Sequence, residues 1–173
     1  ILELGGSDPM IILEDADLDR SISAAVWGGF SNCGQTCISV ERIYVMDSIA
    51  DLFIESLKKK ALNLKLSNNP ENADLGCMIH HNQKQDVKSF LDEAREEGII
   101  FHLDDKKTME DNSCFLSPTI IESNDSPSSL MQSEIFGPVI TVTRVHSEKE
   151  AINKANSTGF GLNASVFSKN LRR

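Results

Sequence analysis

Basic residues are scarce in this sequence: 17 Lys and Arg stand against 26 Asp and Glu, a formal net charge of −9 on 173 residues. That shortage argues against a nucleic-acid partner, because phosphate binding draws on fields of Lys and Arg. It argues equally against an anionic membrane surface. Long apolar runs are missing too, none approaching the roughly 18 residues of a membrane helix. The opening Ile1-Leu2-Glu3-Leu4-Gly5-Gly6 has neither the basic region nor the apolar core of a signal peptide. There is no initiator Met, and the chain reads as starting inside a larger protein. Only four cysteines occur, at 33, 37, 77 and 114, too few and too scattered for a disulfide scaffold. A reduced, cytoplasmic protein is therefore expected, with any special thiol available for chemistry. Low-complexity tracts, repeats and linkers are lacking as well, so nothing divides the chain into separate domains.

What remains is ordinary for a folded domain: 40% hydrophobic and 25% charged residues. A chain of this length can bury roughly two thirds of its unfolded surface. Strand-like and helix-like segments alternate. Met10 to Leu13, Ile43 to Met46, Ile99 to Leu103, Pro118 to Ile121, Val139 to Val145 and Leu162 to Phe167 read as strands. Helices are expected from Asp17, a candidate N-cap, to about Phe30, with Gly28 and Gly29 weakening its end. Others are expected from a cap at Asp47 or Ser48, over about 81–97, and from Ser147 to Asn156. The second helix should bury Ile49, Leu52, Phe53, Leu57, Ala61 and Leu64. Residues 104–113 read as a charged loop. The alternation predicts an α/β fold, an open and mainly parallel sheet with helices on both faces, whose sites lie at the carboxyl ends of strands.

Three side chains stand out chemically. Cys37 follows the Gly-containing loop Phe30-Ser31-Asn32-Cys33-Gly34-Gln35-Thr36, where an exposed sulfur can meet backbone N–H groups that stabilise an oxyanion. A packed, inert thiol is the alternative. Glu3 is a carboxylate in an apolar stretch beside two glycines, a setting that suits a general base, though a salt-bridged or exposed residue also satisfies it. Glu134 precedes Ile135-Phe136-Gly137-Pro138, a backbone too specialised for regular structure, and could equally be a solvated acid. Cys33, Cys37, His80 and His81 have poor spacing for a metal, and none is expected.

These segments, in order, resemble the aldehyde dehydrogenase superfamily over nearly the whole chain. Residues 1–6 resemble its glutamate signature, and Glu14-Asp15-Ala16-Asp17-Leu18-Asp19 the acidic helix start that follows. Phe30 to Cys37 matches F-x-N-x-G-Q-x-C at every fixed position. Phe115-Leu116-Ser117-Pro118-Thr119-Ile120 resembles its P-T-I strand, Glu134 to Pro138 its E-x-F-G-P motif, and Gly161 to Phe167 a strand near the domain's end.

The resemblance implies oxidation of a small aldehyde to an acid with NAD or NADP. Cys37 would attack the aldehyde, with its own backbone N–H as one oxyanion donor, and Glu3 would activate the water that hydrolyses the thioester. Glu134 would hold the nicotinamide ribose, while Phe136, Leu4 and Gly5 would line the nicotinamide end. Asn32 does not match the family's oxyanion asparagine, which lies upstream. Ser7 stands where many members have Lys, a form resembling bacterial-type semialdehyde dehydrogenases, and succinate semialdehyde is the substrate class this suggests. The resemblance also implies that residues 1–173 are a catalytic domain lacking the cofactor-binding domain and the C-terminal oligomerisation segment of a homo-oligomeric parent. Alone, the chain would then be inactive. Transfer of the thioester to coenzyme A, and a non-catalytic protein retaining the fold, remain as alternatives. Cys33 is either a redox partner of Cys37 or a simple neighbour.

Overall fold

The computed structural model describes residues 1–2, 4–110, 112–123, 129–170 and 172. The predicted alternation is present. The elements are β1 (Asp8–Ile12), α1 (Leu18–Phe30), β2 (Val40–Met46), α2 (Asp47–Leu62), α3 (His81–Glu96) and β3 (Ile100–Leu103). They continue with α4 (Lys106–Glu110), β4 (Thr119–Glu122), α5 (Ser129–Gln132), β5 (Val139–Val145), α6 (Glu148–Ala155) and β6 (Ser165–Phe167). The six strands form one sheet in the order β3-β4-β5-β2-β1-β6. Every pairing is parallel except β3 with β4, which is antiparallel.

Strand alternation divides the buried side chains between two faces. Met10, Ile12, Ile43 and Val45 belong to the larger core with α1, α2 and α3, while Ile11, Leu13, Tyr44 and Val145 pack against Ala151 of α6. The larger core takes Phe53, Ile54 and Leu57 from α2. Each such side chain contributes about 1.5–3 kcal/mol by leaving water.

Two helix starts follow the sequence closely. Asp17 Oδ1 accepts the Arg20 N–H at 3.1 Å, and Ser147 Oγ accepts the Glu150 N–H at 3.2 Å. His80 caps α3 through Nδ1, which accepts the Gln83 N–H at 3.0 Å.

Other expectations need correction. Neither Asp47 nor Ser48 caps α2: Met46 takes the cap position without a side-chain bond, and Asp47 lies in the first turn, where its charge suits the helix dipole. Leu52 is 60% exposed, because the true stripe is Ala50, Phe53, Ile54, Leu57 and Ala61. β2 begins at Val40, three residues earlier than expected, and β6 is confined to three residues. Residues 104–113 include the short helix α4. Gly28 and Gly29 do not mark a frayed end but a close approach. A Cβ on Gly29 would lie 2.5 Å from Ile140 Cδ1 and 3.0 Å from the Val40 carbonyl oxygen.

Candidate active site

The segment between α1 and β2 is shaped by the fixed positions of F-x-N-x-G-Q-x-C. Phe30 is buried in the core and anchors the end of α1. A short 3-10 turn over Ser31–Gly34 follows, in which Asn32 and Cys33 adopt positive φ (53° and 57°). Asn is among the residues that tolerate this region. Gly34 has φ of 67°, and a Cβ there would lie 2.1 Å from the Gly137 carbonyl oxygen, so only glycine is accommodated. Asn32 and Gln35 bond each other's backbone: Asn32 Nδ2 donates to the Gln35 carbonyl at 2.9 Å, and Gln35 Nε2 to the Asn32 carbonyl at 3.1 Å. Gln35 Oε1 accepts the Ile79 N–H at 2.8 Å. The turn is thus tied down immediately before Cys37, whose side chain is exposed.

From the β1 side, Gly6 lies against Cys37 and Gly5 against Glu134. A Cβ on Gly6 would sit 2.0 Å from the Cys37 carbonyl oxygen. The Gly6 N–H donates to Glu134 Oε1 at 2.8 Å, and a Cβ on Gly5 would meet Glu134 Oε2 at 2.6 Å. The sequence motifs at 1–6, 30–37 and 134–138 therefore converge. A cleft of about 920 Å³ has Leu4, Gly5, Cys37, Glu134 and Phe136 among its walls. Five of the six residues singled out from sequence share it. The sixth, Glu3, lies outside the described residues.

Sequence reading missed three side chains that hold these parts in place. Glu41 is 1% exposed, and its carboxylate accepts the Ile135 N–H at 3.0 Å and the Phe136 N–H at 2.9 Å. Burial pushes its acid up to about 7, against the opposing pull of those N–H bonds and of Ser7; the nearby Glu134 adds to the rise. Gln83 Nε2 donates to the carbonyls of Ile135 and Phe136 at 3.3 and 3.2 Å. Arg42, also 1% exposed, donates through Nη2 to the Ser7 carbonyl at 2.7 Å and to the Ala155 carbonyl at 3.2 Å, and through Nη1 to Tyr44 Oη at 3.0 Å. In the sequence Glu41 and Arg42 show only as adjacent opposite charges at the start of an apolar strand, a pattern that does not disclose their distant partners.

No disulfide joins Cys33 and Cys37 in the structure. All four cysteines are free thiols; Cys33 is buried and its Sγ donates to the Gly76 carbonyl at 3.1 Å. Burial, with Cys77 nearby, pushes its thiol up to about 11, which makes it a poor thiolate. Among the described residues no group of three or more His, Cys, Asp or Glu could hold a metal ion. None of the described helices is long and apolar enough to cross a membrane.

The donor set suits the nicotinamide half of a dinucleotide. Glu134 offers carboxylate oxygens suited to ribose hydroxyls, Phe136 offers an apolar face, and Gly5, lacking a side chain, lets the Glu134 carboxylate approach the backbone.

The aldehyde dehydrogenase family model matches residues 1–173. Among curated relatives, a D-glyceraldehyde dehydrogenase (NADP(+)) of Picrophilus torridus is 36% identical, over 98% of this chain and 35% of its own length. An alpha-ketoglutaric semialdehyde dehydrogenase of Bacillus subtilis is 32% identical over 99% of this chain and 36% of its length. The crystal structure of NADP-dependent glyceraldehyde-3-phosphate dehydrogenase from Bacillus halodurans, complexed with NADP, superposes with a TM-score of 0.92 at 34% identity. That match covers 99% of this chain and 35% of the other. The chain thus spans about a third of the length of the relatives it matches.

Proposed function

Since this chain belongs to the aldehyde dehydrogenase family, we propose that it is the catalytic segment of a longer enzyme that oxidises an aldehyde to a carboxylic acid with NAD(P)+. The observation that carries this reading is the exposed Cys37 sharing one cleft with Glu134 and Phe136.

The chemistry follows from the residue types. The Cys37 thiolate adds to the aldehyde carbon, forming a C–S bond while the carbonyl π pair moves to oxygen, and a thiohemiacetal results. Its backbone N–H is one donor to that oxygen. NAD(P)+, when bound, accepts the hydride that this adduct expels as the carbonyl re-forms. Sulfur suits both stages, being nucleophilic enough to trap the aldehyde and a good leaving group from the thioester. Glu3 is the base that removes a proton from the attacking water, which is a weak nucleophile at neutral pH. Glu134 and Phe136 hold and orient the nicotinamide ribose and ring, with Leu4 and Gly5 lining the same end.

The free thiols fit a reducing compartment such as the cytoplasm. A semialdehyde such as succinate semialdehyde is the first substrate class to test; the relatives' names include an alpha-ketoglutaric semialdehyde and also D-glyceraldehyde. The remaining two thirds of the parent supply most of the dinucleotide surface and the contacts of a homo-oligomer on this reading. An aldehyde panel with NAD+ and NADP+ on the full-length protein is the test. Cofactor-dependent oxidation supports the proposal, and its absence across the panel overturns it. The isolated 173-residue chain is expected to show no turnover; turnover at about 1–1000 per second would contradict that expectation.

A further inference from the structure

The segment that carries Glu134 and Phe136 is irregular, and irregular backbone needs outside partners for its N–H and C=O groups. Phe136 also has a φ of 52°, a left-handed conformation that costs a non-glycine residue about 1 kcal/mol or more. Something must hold it there. Two side chains from different elements do so. Glu41 of β2 accepts the N–H groups of Ile135 and Phe136, and Gln83 of α3 donates to the carbonyls of the same two residues. The turn is gripped on both its donor and acceptor sides. The grip acts immediately beside Glu134, whose carboxylate accepts the Gly6 N–H next to Cys37's own backbone contact.

We propose that Glu41 and Gln83 are positioning residues that clamp the left-handed turn at Phe136 and so set where Glu134 and Phe136 meet the nicotinamide half of NAD(P)+. The inference rests on the function proposed above and deepens it. Glu41 is not among the walls of the cleft; Gln83 is one of them, and its Nε2 donates to the turn's carbonyls.

A Gln at 41 keeps an acceptor oxygen for the N–H groups, whereas an Ala leaves two buried donors unpaired. The test uses the full-length protein as wild type, Glu41→Ala, Glu41→Gln and Gln83→Ala. It measures the Kd for NAD(P)+, the steady-state KM and kcat, the melting temperature, and hydrogen exchange over residues 134–137. Expected are a cofactor Kd raised about tenfold or more in Glu41→Ala, within about threefold of wild type in Glu41→Gln, and raised about fivefold in Gln83→Ala. The KM for the aldehyde should move less than the KM for cofactor, and exchange over 134–137 should quicken in both Ala variants.

Cofactor Kd values within twofold of wild type in both Ala variants would overturn the clamp. So would Glu41→Gln falling as far as Glu41→Ala, with cofactor and aldehyde KM rising together. Should Glu41→Ala fail to fold, Gln83→Ala decides alone: its residue is half-buried, and an unchanged Kd there overturns the proposal. A wild-type protein that binds no NAD(P)+ sinks the functional reading and the clamp with it, whereas binding by wild type and both Ala variants alike sinks only the clamp.

Discussion

Glu41 and Arg42 are neighbours in β2, both 1% exposed, yet the strand turns them to opposite faces and into different roles. Arg42 sits on the α6 side and gives its donors to Ser7, Tyr44 and the carbonyls ending α6. Carbonyl dipoles and hydroxyls solvate its charge, and the buried Asp8 carboxylate attracts it from nearby. Glu41 sits on the cleft side, held by two N–H groups, with its acid pushed up to about 7 by burial. The first arrangement is a brace, with a permanent charge solvated by many dipoles. The second is a support for a working segment, with a charge poised near neutrality. Burial of a charge is therefore no index of function; what surrounds it, and what that neighbour does, decides.

The comparison is sharpest at the cleft itself. Cys37→Ala in the full-length protein should lower aldehyde oxidation by about a thousandfold or more, with the melting temperature little changed. Steady-state rates and thermal melts check this, and substantial residual turnover would contradict it. Arg42→Met should act oppositely, on stability. Removing the guanidinium leaves buried carbonyls unpaired and costs about 2–4 kcal/mol. Urea unfolding measures that loss, and a variant as stable as wild type would undo the brace.

Glu41 should reveal itself through pH. Its folded-state acid lies above the ordinary carboxylate value, so the folded protein holds this proton more tightly than the unfolded chain. Its stabilising contribution is present at low pH and is lost as pH rises from about 4.5 through about 7. The nearby charge acting on it is Glu134, while Arg42 faces the other side. Relative to Glu41→Gln, wild type should lose up to about 3 kcal/mol across that window. Urea midpoints at several pH values give the difference, and parallel curves would refute the assignment.

The smallest effect concerns thiol exposure. Iodoacetamide should modify the exposed Cys37 well before the buried Cys33. Equal rates would mean that the 30–37 turn is not held as described.

Much of this was legible beforehand, because local chemistry dictates local structure. The caps at Asp17 and Ser147 use short side chains that reach N–H groups three residues on, and they can be read directly. Cys37 and Glu134 stand out by their chemistry and Leu4, Gly5 and Phe136 through the resemblance, and all five meet in one cleft. The strand order and the antiparallel β3–β4 pair were not readable, since they depend on which distant edges meet. The α2 stripe was misread because Leu52 has the right chemistry at a position one step off the buried face. Glu41 and Gln83 escaped notice for a related reason. Their partners are backbone groups about 95 and 53 residues away, and no local pattern announces such a bond.

The central claim is that the sulfur of Cys37 carries the acyl group during turnover. Full-length protein mixed with aldehyde and cofactor, quenched in acid during the first turnovers and fragmented for mass spectrometry, tests it directly. The account predicts the substrate's acyl mass on Cys37, resolved from Cys33 by fragmentation of the peptide that holds both. An acyl group on another residue, or turnover with no adduct at any cysteine, would contradict it.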